Sequence, residues 1–305
     1  MELFEIIVGT YEQFLLGYKV QKVEKKWKLE RSFATHSHVA SIRTVTAKKH
    51  YLASGGADDS IYLYDMKQRT ESGKLMHHEG TVNHLAFTPD ATHLLSCGGD
   101  GSIGIVRCGN WQLEKHWKSP HKGSPVNTIS VHPTGKLALS IGADGVLRTW
   151  NLVKGRQAYA TNLISRFKYD AKYVDNILWS PDGAKYLIVC NTRLDVYSVE
   201  TAGISTEENF PSKIISIDFL NQEDNELIAL GHEDGKLRIY NIEDKSIVLE
   251  TDAHEARIKC IQCRDNYIVS ASSSGEIKLW KFVKGVLKKL GSANCDARIT
   301  CMTII

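Results

Sequence analysis

The stretch SIGADGVLRTWN, from Ser140 to Asn151, decides the fold of this 305-residue chain, because variants of it recur along the sequence. Each copy begins with small or polar residues, passes through a tight turn and continues as alternating apolar residues that end near an aromatic position. The other copies are SGGADDSIYLYD from Ser54, SCGGDGSIGIVR from Ser96, VCNTRLDVYS from Val189, ALGHEDGKLRIYN from Ala229 and SASSSGEIKLWK from Ser270. Because apolar alternation is typical of half-buried β-strands, the chain is predicted to be an all-β repeat protein.

The spacing of the copies indicates the architecture. Their aromatic or equivalent positions lie 40 to 47 residues apart, at Tyr64, Val106, Trp150, Tyr197, Tyr240 and Trp280. A repeat of that length, made of short strands, is typical of a β-propeller of the WD40 type, in which each repeat supplies one blade. Length alone would suggest two domains, but a propeller is one closed ring. We therefore expect a single domain over residues 1–305.

The two ends of the chain are predicted to form the last blade together. Residues 1–33 contain three strand-like stretches, and residues 297–305 (ARITCMTII) contain one. Residues 34–296 then form six contiguous blades, and the remaining strands form a seventh. Closure of this kind removes open sheet edges, which favour aggregation. The prediction is a seven-bladed WD40 β-propeller whose last blade is closed by three N-terminal strands and one C-terminal strand.

Composition argues against several classes of protein. The net charge is only +3, so the total charge predicts no particular partner. Seven scattered cysteines predict a reducing compartment, and no apolar stretch resembles a signal peptide or a membrane span. We therefore expect no membrane partner. No phosphate-binding loop occurs, and the pair Cys260 and Cys263 has no second pair, so we expect neither a cofactor nor a metal.

One polar set resembles a catalytic triad: His121, Ser140 and Asp144, followed by Trp150. We interpret these four residues as a structural tetrad that is hydrogen-bonded inside a blade. The reason is that the set recurs in other repeats, as His38, Ser54 and Asp58 and as His78, Ser96 and Asp100. A catalytic site occurs once, so no enzyme is predicted. The sixth repeat has Ser274 in place of the acid and the fourth has neither His nor Asp, so these two blades should be less rigid.

The rim of the central channel is the predicted binding surface. In WD40 proteins, which the repeats resemble, exposed positions flank the buried apolar residue of each first strand. That register places the flanking pairs at Ser41/Arg43, Thr81/Asn83, Pro125/Asn127, Tyr173/Asp175, Lys213/Ile215, Arg257/Lys259 and Arg298/Thr300. Five cations fall on consecutive blades and adjoin an aromatic residue. We call this set the basic arc: Arg43, Tyr173, Lys213, Arg257, Lys259 and Arg298.

The basic arc has two interpretations. It suits an acidic peptide or the phosphates of RNA, with Asp175 and Glu233 as the nearby acids. The alternative is a solvated rim on which the charges fall at random. A second basic run lies in the seventh blade, at Lys19, Lys22, Lys25, Lys26, Lys28 and Arg31. It is either a solubilising feature of an outer strand or a contact with nucleic acid.

One segment goes beyond the general repeat pattern. HPTGKLALSIGADGVLRTWNLVKGR, residues His132 to Arg156, resembles the corresponding blade of the PAK-interacting protein family, whose yeast relatives are the Mak-eleven-type nucleolar factors. VGTYEQFLLGY, YLYDM, VSASSSGEIKLWK and ARITCM resemble that family in order and spacing, so the resemblance covers the whole chain. The family's lysine-rich C-terminal tail is expected to be missing from this chain, whose last residue is Ile305.

The resemblance implies a function. It implies a non-enzymatic scaffold of the nucleus and nucleolus in the biogenesis of the large (60S) ribosomal subunit and in pre-rRNA processing. The implied partners are pre-60S ribosomal proteins or assembly factors and rRNA. In animals it also implies a negative regulator that binds the N-terminal region of p21-activated kinases and inhibits their signalling. Both roles stay open, because one rigid ring presents several surfaces.

A substrate receptor of a ubiquitin ligase is a weaker alternative. Receptors of that class commonly carry Trp-Asp-x-Arg at the end of a blade. The strongest copies here read Trp150-Asn151-Leu152-Val153 and Trp280-Lys281-Phe282-Val283, so the motif is absent. We expect a monomeric propeller that binds other macromolecules.

Overall fold

The computed structural model describes residues 2–24, 26–174, 176–220 and 227–305. The chain begins with three strands, β1 (Glu2–Thr10), β2 (Leu15–Val23) and β3 (Lys26–Thr35). Blade one follows, with β4 (Ile42–Lys48), β5 (Tyr51–Gly56), β6 (Ile61–Asp65) and β7 (Thr70–Leu75). Blade two consists of β8 (Val82–Phe87), β9 (His93–Gly98), β10 (Ile103–Arg107) and β11 (Leu113–Trp117). Blade three consists of β12 (Val126–Val131), β13 (Leu137–Gly142), β14 (Val146–Asn151) and β15 (Arg156–Asn162).

The second half repeats the same unit. Blade four consists of β16 (Asn176–Trp179), β17 (Lys185–Cys190), β18 (Arg193–Ser198) and β19 (Gly203–Asn209). Blade five consists of β20 (Ile214–Leu220), β21 (Leu227–His232), β22 (Lys236–Asn241) and β23 (Ser246–Asp252). Blade six consists of β24 (Ile258–Arg264), β25 (Tyr267–Ser272), β26 (Glu276–Val283) and β27 (Val286–Asn294). The last strand is β28 (Ile299–Ile304).

Each blade is a four-stranded antiparallel sheet, and blade seven has the strand order β28-β1-β2-β3. Its closing pair is in register from Ile6 opposite Ile304 to Gly9 opposite Cys301. The prediction of an all-β, seven-bladed WD40 propeller closed by three N-terminal strands and one C-terminal strand is therefore confirmed. The ring closes because β1 cannot satisfy the backbone groups on its channel-facing edge without the last strand of the chain.

The core lies between the blades. The apolar residue predicted to be buried near the start of each innermost strand is at most 1% exposed in every blade, at Ile42, Val82, Val126, Val174, Ile214, Ile258 and Ile299. Separate core clusters pack neighbouring blades together; one joins Leu139 and Ile141 of blade three to Trp179 of blade four. Burial of such side chains on both faces of each sheet holds the blades in a ring.

The innermost strands β4, β8, β12, β16, β20, β24 and β28 surround a central cavity of about 610 Å³. They hold the same place in successive blades and run in the same direction, so their first residues all lie on one face of the ring. We call it the arc face, because the basic arc lies at these strand starts. The turns that follow the innermost strands lie on the opposite face.

A short helical insertion separates blades three and four. Residues Ile164–Phe167 form a helical turn, α1, and Lys168–Tyr173 form a 3-10 segment. Asn127 ties this insertion to blade three, since its Nδ2 donates to the carbonyl oxygens of Lys172 and Val174, each at 3.0 Å. Within the described ranges, no helix has the length and apolar character needed to cross a bilayer.

Candidate partner-binding face

The tetrad of blade three is assembled as a chain of hydrogen bonds. His121 Nδ1 lies 2.8 Å from Asp144 Oδ1, and His121 Nε2 lies 2.8 Å from Ser140 Oγ. Trp150 Nε1 donates to the same Ser140 Oγ at 2.8 Å. The hydroxyl that resembled a nucleophile is 0% exposed, so no substrate could reach it. The arrangement satisfies buried polar groups inside the blade.

Burial and pairing determine the charges of this network. Burial lowers the pKa of His121, although the Asp144 carboxylate opposes that effect. Burial would raise the pKa of Asp144, but hydrogen bonds from His121 and Arg148 outweigh it and lower that pKa. Arg148 Nη1 donates to Asp144 Oδ2 at 2.8 Å. At neutral pH the network therefore contains an ionised carboxylate that is held by a neutral histidine and by a guanidinium.

The structure of blade six contradicts one prediction that was made from the sequence. Ser274 does not leave this blade without an acid, because Glu276 Oε2 lies 2.8 Å from His254 Nδ1. His254 Nε2 lies 2.8 Å from Ser270 Oγ, which accepts from Trp280 Nε1 at 2.9 Å. The longer side chain of Glu276 reaches from the first position of β26. The expectation that the sixth blade has no acid for its histidine was wrong, because it compared only aligned positions.

Blades two and five replace other members of the tetrad. In blade two Val106 takes the tryptophan position, and His77 Nε2 lies 2.8 Å from Ser96 Oγ instead. Gly104 makes this possible, because a Cβ at that position would clash with His77 Nε2. In blade five His232 is a strand residue whose Nδ1 lies 3.0 Å from Ser212 O.

Blade four lacks the tetrad but has a different network. The Asp195 carboxylate, 0% exposed, accepts from Arg193 Nε at 2.9 Å and from Arg166 Nη2 at 3.0 Å. Arg166 comes from helical turn α1, and its Nη2 also donates to Glu207 Oε2 at 2.7 Å. The fourth blade is therefore tied to the insertion by ion pairs that the repeat pattern did not predict.

The structure places the basic arc along the arc face. Lys213 and Arg298 are exposed and lie directly before β20 and β28, and Arg257 is half-buried directly before β24. Arg43 on β4 and Lys259 on β24 line the mouth of the central cavity. Tyr173, the sixth member, ends the 3-10 segment and is 60% exposed, with Lys172 Nζ 4.8 Å from its ring centroid.

Other flanking positions are not free for a partner. Asn83 Nδ2 donates to Val126 O at 2.8 Å, and Asn127 is committed to the insertion. Thr300 Oγ1 donates to the carbonyl oxygen of Ile42 in blade one at 2.5 Å. The prediction that these positions are exposed was wrong, because their side chains join neighbouring blades.

The five cations of the basic arc differ from these residues, whose side chains are hydrogen-bonded to neighbouring blades. Within the part of the chain that the structure describes, none of the five forms an ion pair with a carboxylate at 4.0 Å or less. The nearby acids are Glu12, whose carboxylate accepts from the backbone N–H of Arg298 at 2.9 Å, and the exposed Glu233 and Glu255. Asp175 lies outside the described residues. The positive charges of the arc are therefore available to an anionic partner.

The fold adds aromatic residues that the sequence did not point out. Tyr11 and Phe14, in the turn between β1 and β2, are 55% and 41% exposed on the arc face. The Arg298 guanidinium carbon lies 5.5 Å from the ring centroid of Tyr11, and Phe14 packs against His36 at 4.7 Å. Ring closure therefore brings Tyr11 next to a cation of the basic arc in blade seven. Exposed aromatic residues beside arginine are typical of protein-binding surfaces.

The other two candidates from the sequence, the cysteine pair and the second basic run, lie apart from the basic arc. Cys260 and Cys263 both lie on β24, where burial raises the pKa of Cys260 to about 12. Among the described residues, no three or more His, Cys, Asp or Glu side chains are grouped as a metal site would require.

In the second basic run, Lys19 and Lys22 lie on β2 and Lys26, Lys28 and Arg31 lie on β3, while Lys25 is outside the described residues.

Comparison with known proteins shows two levels of similarity. The WD domain, G-beta repeat family matches residues 27–65, 69–105, 112–151 and 245–281. A p21-activated protein kinase-interacting protein 1-like protein of Danio rerio is 40% identical over 307 residues, which cover 98% of this chain and 80% of the relative. The Homo sapiens p21-activated protein kinase-interacting protein 1 is 36% identical over 315 residues, with 98% and 76% covered. Protein MAK11 of Saccharomyces cerevisiae is 26% identical over 353 residues, with 99% and 83% covered.

Proposed function

Because this chain belongs to the family of p21-activated protein kinase-interacting proteins, a group of WD40-repeat proteins, we propose that it is a scaffold in the assembly of the large ribosomal subunit. The coarser role follows from the fold and the family: the chain is a WD-repeat interaction scaffold with protein partners. We propose that it is not an enzyme, that its partners are pre-60S ribosomal proteins or assembly factors, and that it works in the nucleolus.

The basic arc is the observation that carries the proposal. Its cations lie on consecutive blades around one mouth of the central cavity, and their charge is not neutralised by described carboxylates. Exposed aromatic side chains flank them at Tyr11, Phe14 and Tyr173. Such a surface suits an acidic segment of a protein, because the cations steer it towards the face and the rings supply anchors.

Charge reversal tests this role. The variant Arg257→Glu, Lys259→Glu, Arg298→Glu removes the centre of the arc. The matched control, Lys136→Glu, Lys154→Glu, Arg156→Glu, makes the same change of charge on exposed residues of blade three. Tagged proteins are recovered from nuclear extract and fractionated on sucrose gradients, with and without ribonuclease. We expect the wild type and the control to sediment with large-subunit precursors and the arc variant to stay in light fractions. Normal sedimentation of a folded arc variant would contradict the proposal.

A second candidate function is the binding and inhibition of a p21-activated kinase. The observation that favours it is the similarity of this chain to human and Danio rerio proteins that are named p21-activated protein kinase-interacting proteins. The same gradient separates the two functions. Recovery of such a kinase in light fractions, with no large-subunit precursor, would favour the kinase role. A direct test adds the purified protein to the N-terminal region of the kinase and measures binding, and then measures the activity of the intact kinase.

A further inference from the structure

A second concentration of positive charge lies on the face opposite the arc, at the outer hairpin β26–β27 of blade six. Between Ile277 and Ala293 this hairpin contains five lysines and no acidic residue. Lys281 and Lys288 lie directly opposite each other across the two strands, with Lys284 in the turn between them. Like charges at directly opposite positions are unfavourable. Lys278 is paired with Glu276 at the start of β26, 2.9 Å away, whereas no described carboxylate lies within 4.0 Å of Lys281, Lys284 or Lys288.

Aromatic rings hold these cations in place across the boundary between blades six and seven. Lys281 Nζ lies 5.4 Å from the ring centroid of Tyr267, which packs edge-on against Trp27 at 5.8 Å. Lys22 Nζ lies 5.7 Å from the Trp27 ring centroid. Both rings are half-buried, so they orient the ammonium groups at the surface and offer little area for stacking. The hairpin and Lys22 of blade seven therefore lie on one continuous surface.

Few of the acidic residues that the structure describes lie near this surface. Glu24 and Asp265 lie in adjacent turns, and Glu30 already accepts from Gln21 Nε2 at 2.6 Å and lies 4.0 Å from Lys28. The equivalent turns of blades four and five are different, since they carry the exposed acids Glu200, Glu243 and Asp244. The positive charge of this surface is therefore not shared by the outer turns of blades four and five.

We propose that Lys22, Lys281, Lys284 and Lys288 form a second binding site, the hairpin site, that binds the phosphodiester backbone of RNA. Among the described residues of the hairpin, the exposed large apolar side chains are Val283 and Val286 at its tip. A protein partner would require aromatic anchors in a desolvated pocket, whereas a polyanion requires only a row of cations. The choice of RNA over DNA rests on the proposed function. The arc then remains available for a protein partner on the other face.

The test measures RNA binding by the purified full chain. The variant Lys281→Glu, Lys284→Glu, Lys288→Glu is compared with the blade-three control Lys136→Glu, Lys154→Glu, Arg156→Glu, which changes charge equally on the same face. The probe is a fluorescently labelled oligouridine RNA, titrated by anisotropy at several salt concentrations. A milder variant, Lys281→Gln, Lys284→Gln, Lys288→Gln, covers the case in which charge reversal perturbs folding. Thermal midpoints check that each variant is folded.

We expect the hairpin variant to bind RNA at least about tenfold more weakly than the wild type. The slope of log affinity against log salt should decrease by about 2, because each lost phosphate contact on a single strand contributes about 0.7. The blade-three control should keep the wild-type slope. Equal loss in the control, or an unchanged slope in the folded hairpin variants, would overturn the proposal. Tighter binding of polyglutamate or of duplex DNA than of the RNA would also overturn it.

The RNA-binding test of the hairpin site and the sedimentation test of the proposed function can fail independently. Hairpin-dependent RNA binding by a protein that does not sediment with large-subunit precursors would contradict the assembly role and leave the hairpin site standing. Sedimentation that depends on the arc, with no RNA binding at the hairpin, would do the reverse.

Discussion

At the scale of single residues, buried polar groups keep the strands of a blade in register. Ser140 Oγ lies within 2.8 Å of both His121 and Trp150, so one hydroxyl links the loop before β12 to two strands of the blade. Other blades reach a similar result with different residue types. Glu276 replaces the aspartate in blade six and His77 replaces the indole in blade two. What blades two, three and six share is a buried serine hydroxyl that has two hydrogen-bond partners.

The substitution Trp150→Ala tests this role in blade three. Trp150 is 4% exposed and stacks on Trp117 at 4.3 Å, so truncation should cost on the order of 3–5 kcal/mol of unfolding free energy. Trp150→Phe keeps most of the packing and removes the N–H donor, so it should cost less, about 1–2 kcal/mol. Chemical denaturation of both variants checks the order. An unchanged denaturation midpoint for Trp150→Ala would contradict the buried tetrad.

At the scale of elements, the innermost strands are joined to one another by side chains that cross between blades. Asn83 joins β8 to β12, and Asn176 Nδ2 on β16 donates to Ile215 O on β20 at 3.3 Å. The Asp218 carboxyl on β20 makes a similar contact between blades, because its Oδ2 accepts from the backbone N–H of Cys263 on β24 at 2.7 Å. Burial raises the pKa of Asp218 to about 7, against the effect of that hydrogen bond.

The Asp218 carboxyl should make the free energy of unfolding depend on pH. Between about pH 4 and pH 7 the folded carboxyl keeps a proton that the unfolded chain releases, so this group's contribution to stability falls as the pH rises. Asp218→Asn is neutral throughout and its amide oxygen can accept the same hydrogen bond. The variant should therefore match the wild type near pH 4 and exceed its stability at pH 8 by on the order of 4 kcal/mol, because folding raises the pKa of Asp218 from 3.8 to about 7. Urea denaturation at both pH values measures the difference. A difference that does not change with pH would contradict the assignment.

At the scale of the whole molecule, closure of the ring determines what the two faces can do. The arc face combines cations from blades five, six, seven and one with rings from the N-terminal turn at Tyr11 and Phe14. The hairpin site lies on the other face and crosses the boundary between blades six and seven. Both surfaces depend on blade seven, in which β28 pairs with β1. A scaffold with two such faces can hold two partners at the same time.

Removal of residues 297–305 tests the closure. The deletion takes away β28 and exposes the edge of β1, and it removes Ile299, Cys301 and Met302 from the cores on both sides of blade seven. The truncated chain should lose its cooperative thermal transition and aggregate. A synthetic peptide of residues 297–305 should restore the transition by adding the missing strand. A truncated chain that melts like the wild type without the peptide would show that the closing strand is dispensable.

Features that repeat within one blade could be predicted from the sequence. The period of the copies predicted the propeller and its seven blades, and the spacing of His121, Ser140, Asp144 and Trp150 predicted a set of residues that the structure brings within hydrogen-bonding distance. These features are local, because register and turn length place neighbouring strands of one sheet. The positions of the arc cations followed from the same register.

Contacts between blades required the tertiary structure. Glu12 reaches Arg298 across 286 positions of sequence, and Trp27 meets Tyr267 only because blades six and seven are neighbours in the closed ring. The commitment of Asn83, Asn127 and Thr300 to neighbouring blades was equally invisible in a single repeat. The sequence by itself determined the unit and the number of its copies. The partners of each surface side chain were decided only when the copies packed around the channel, because packing brings together residues that no repeat period relates.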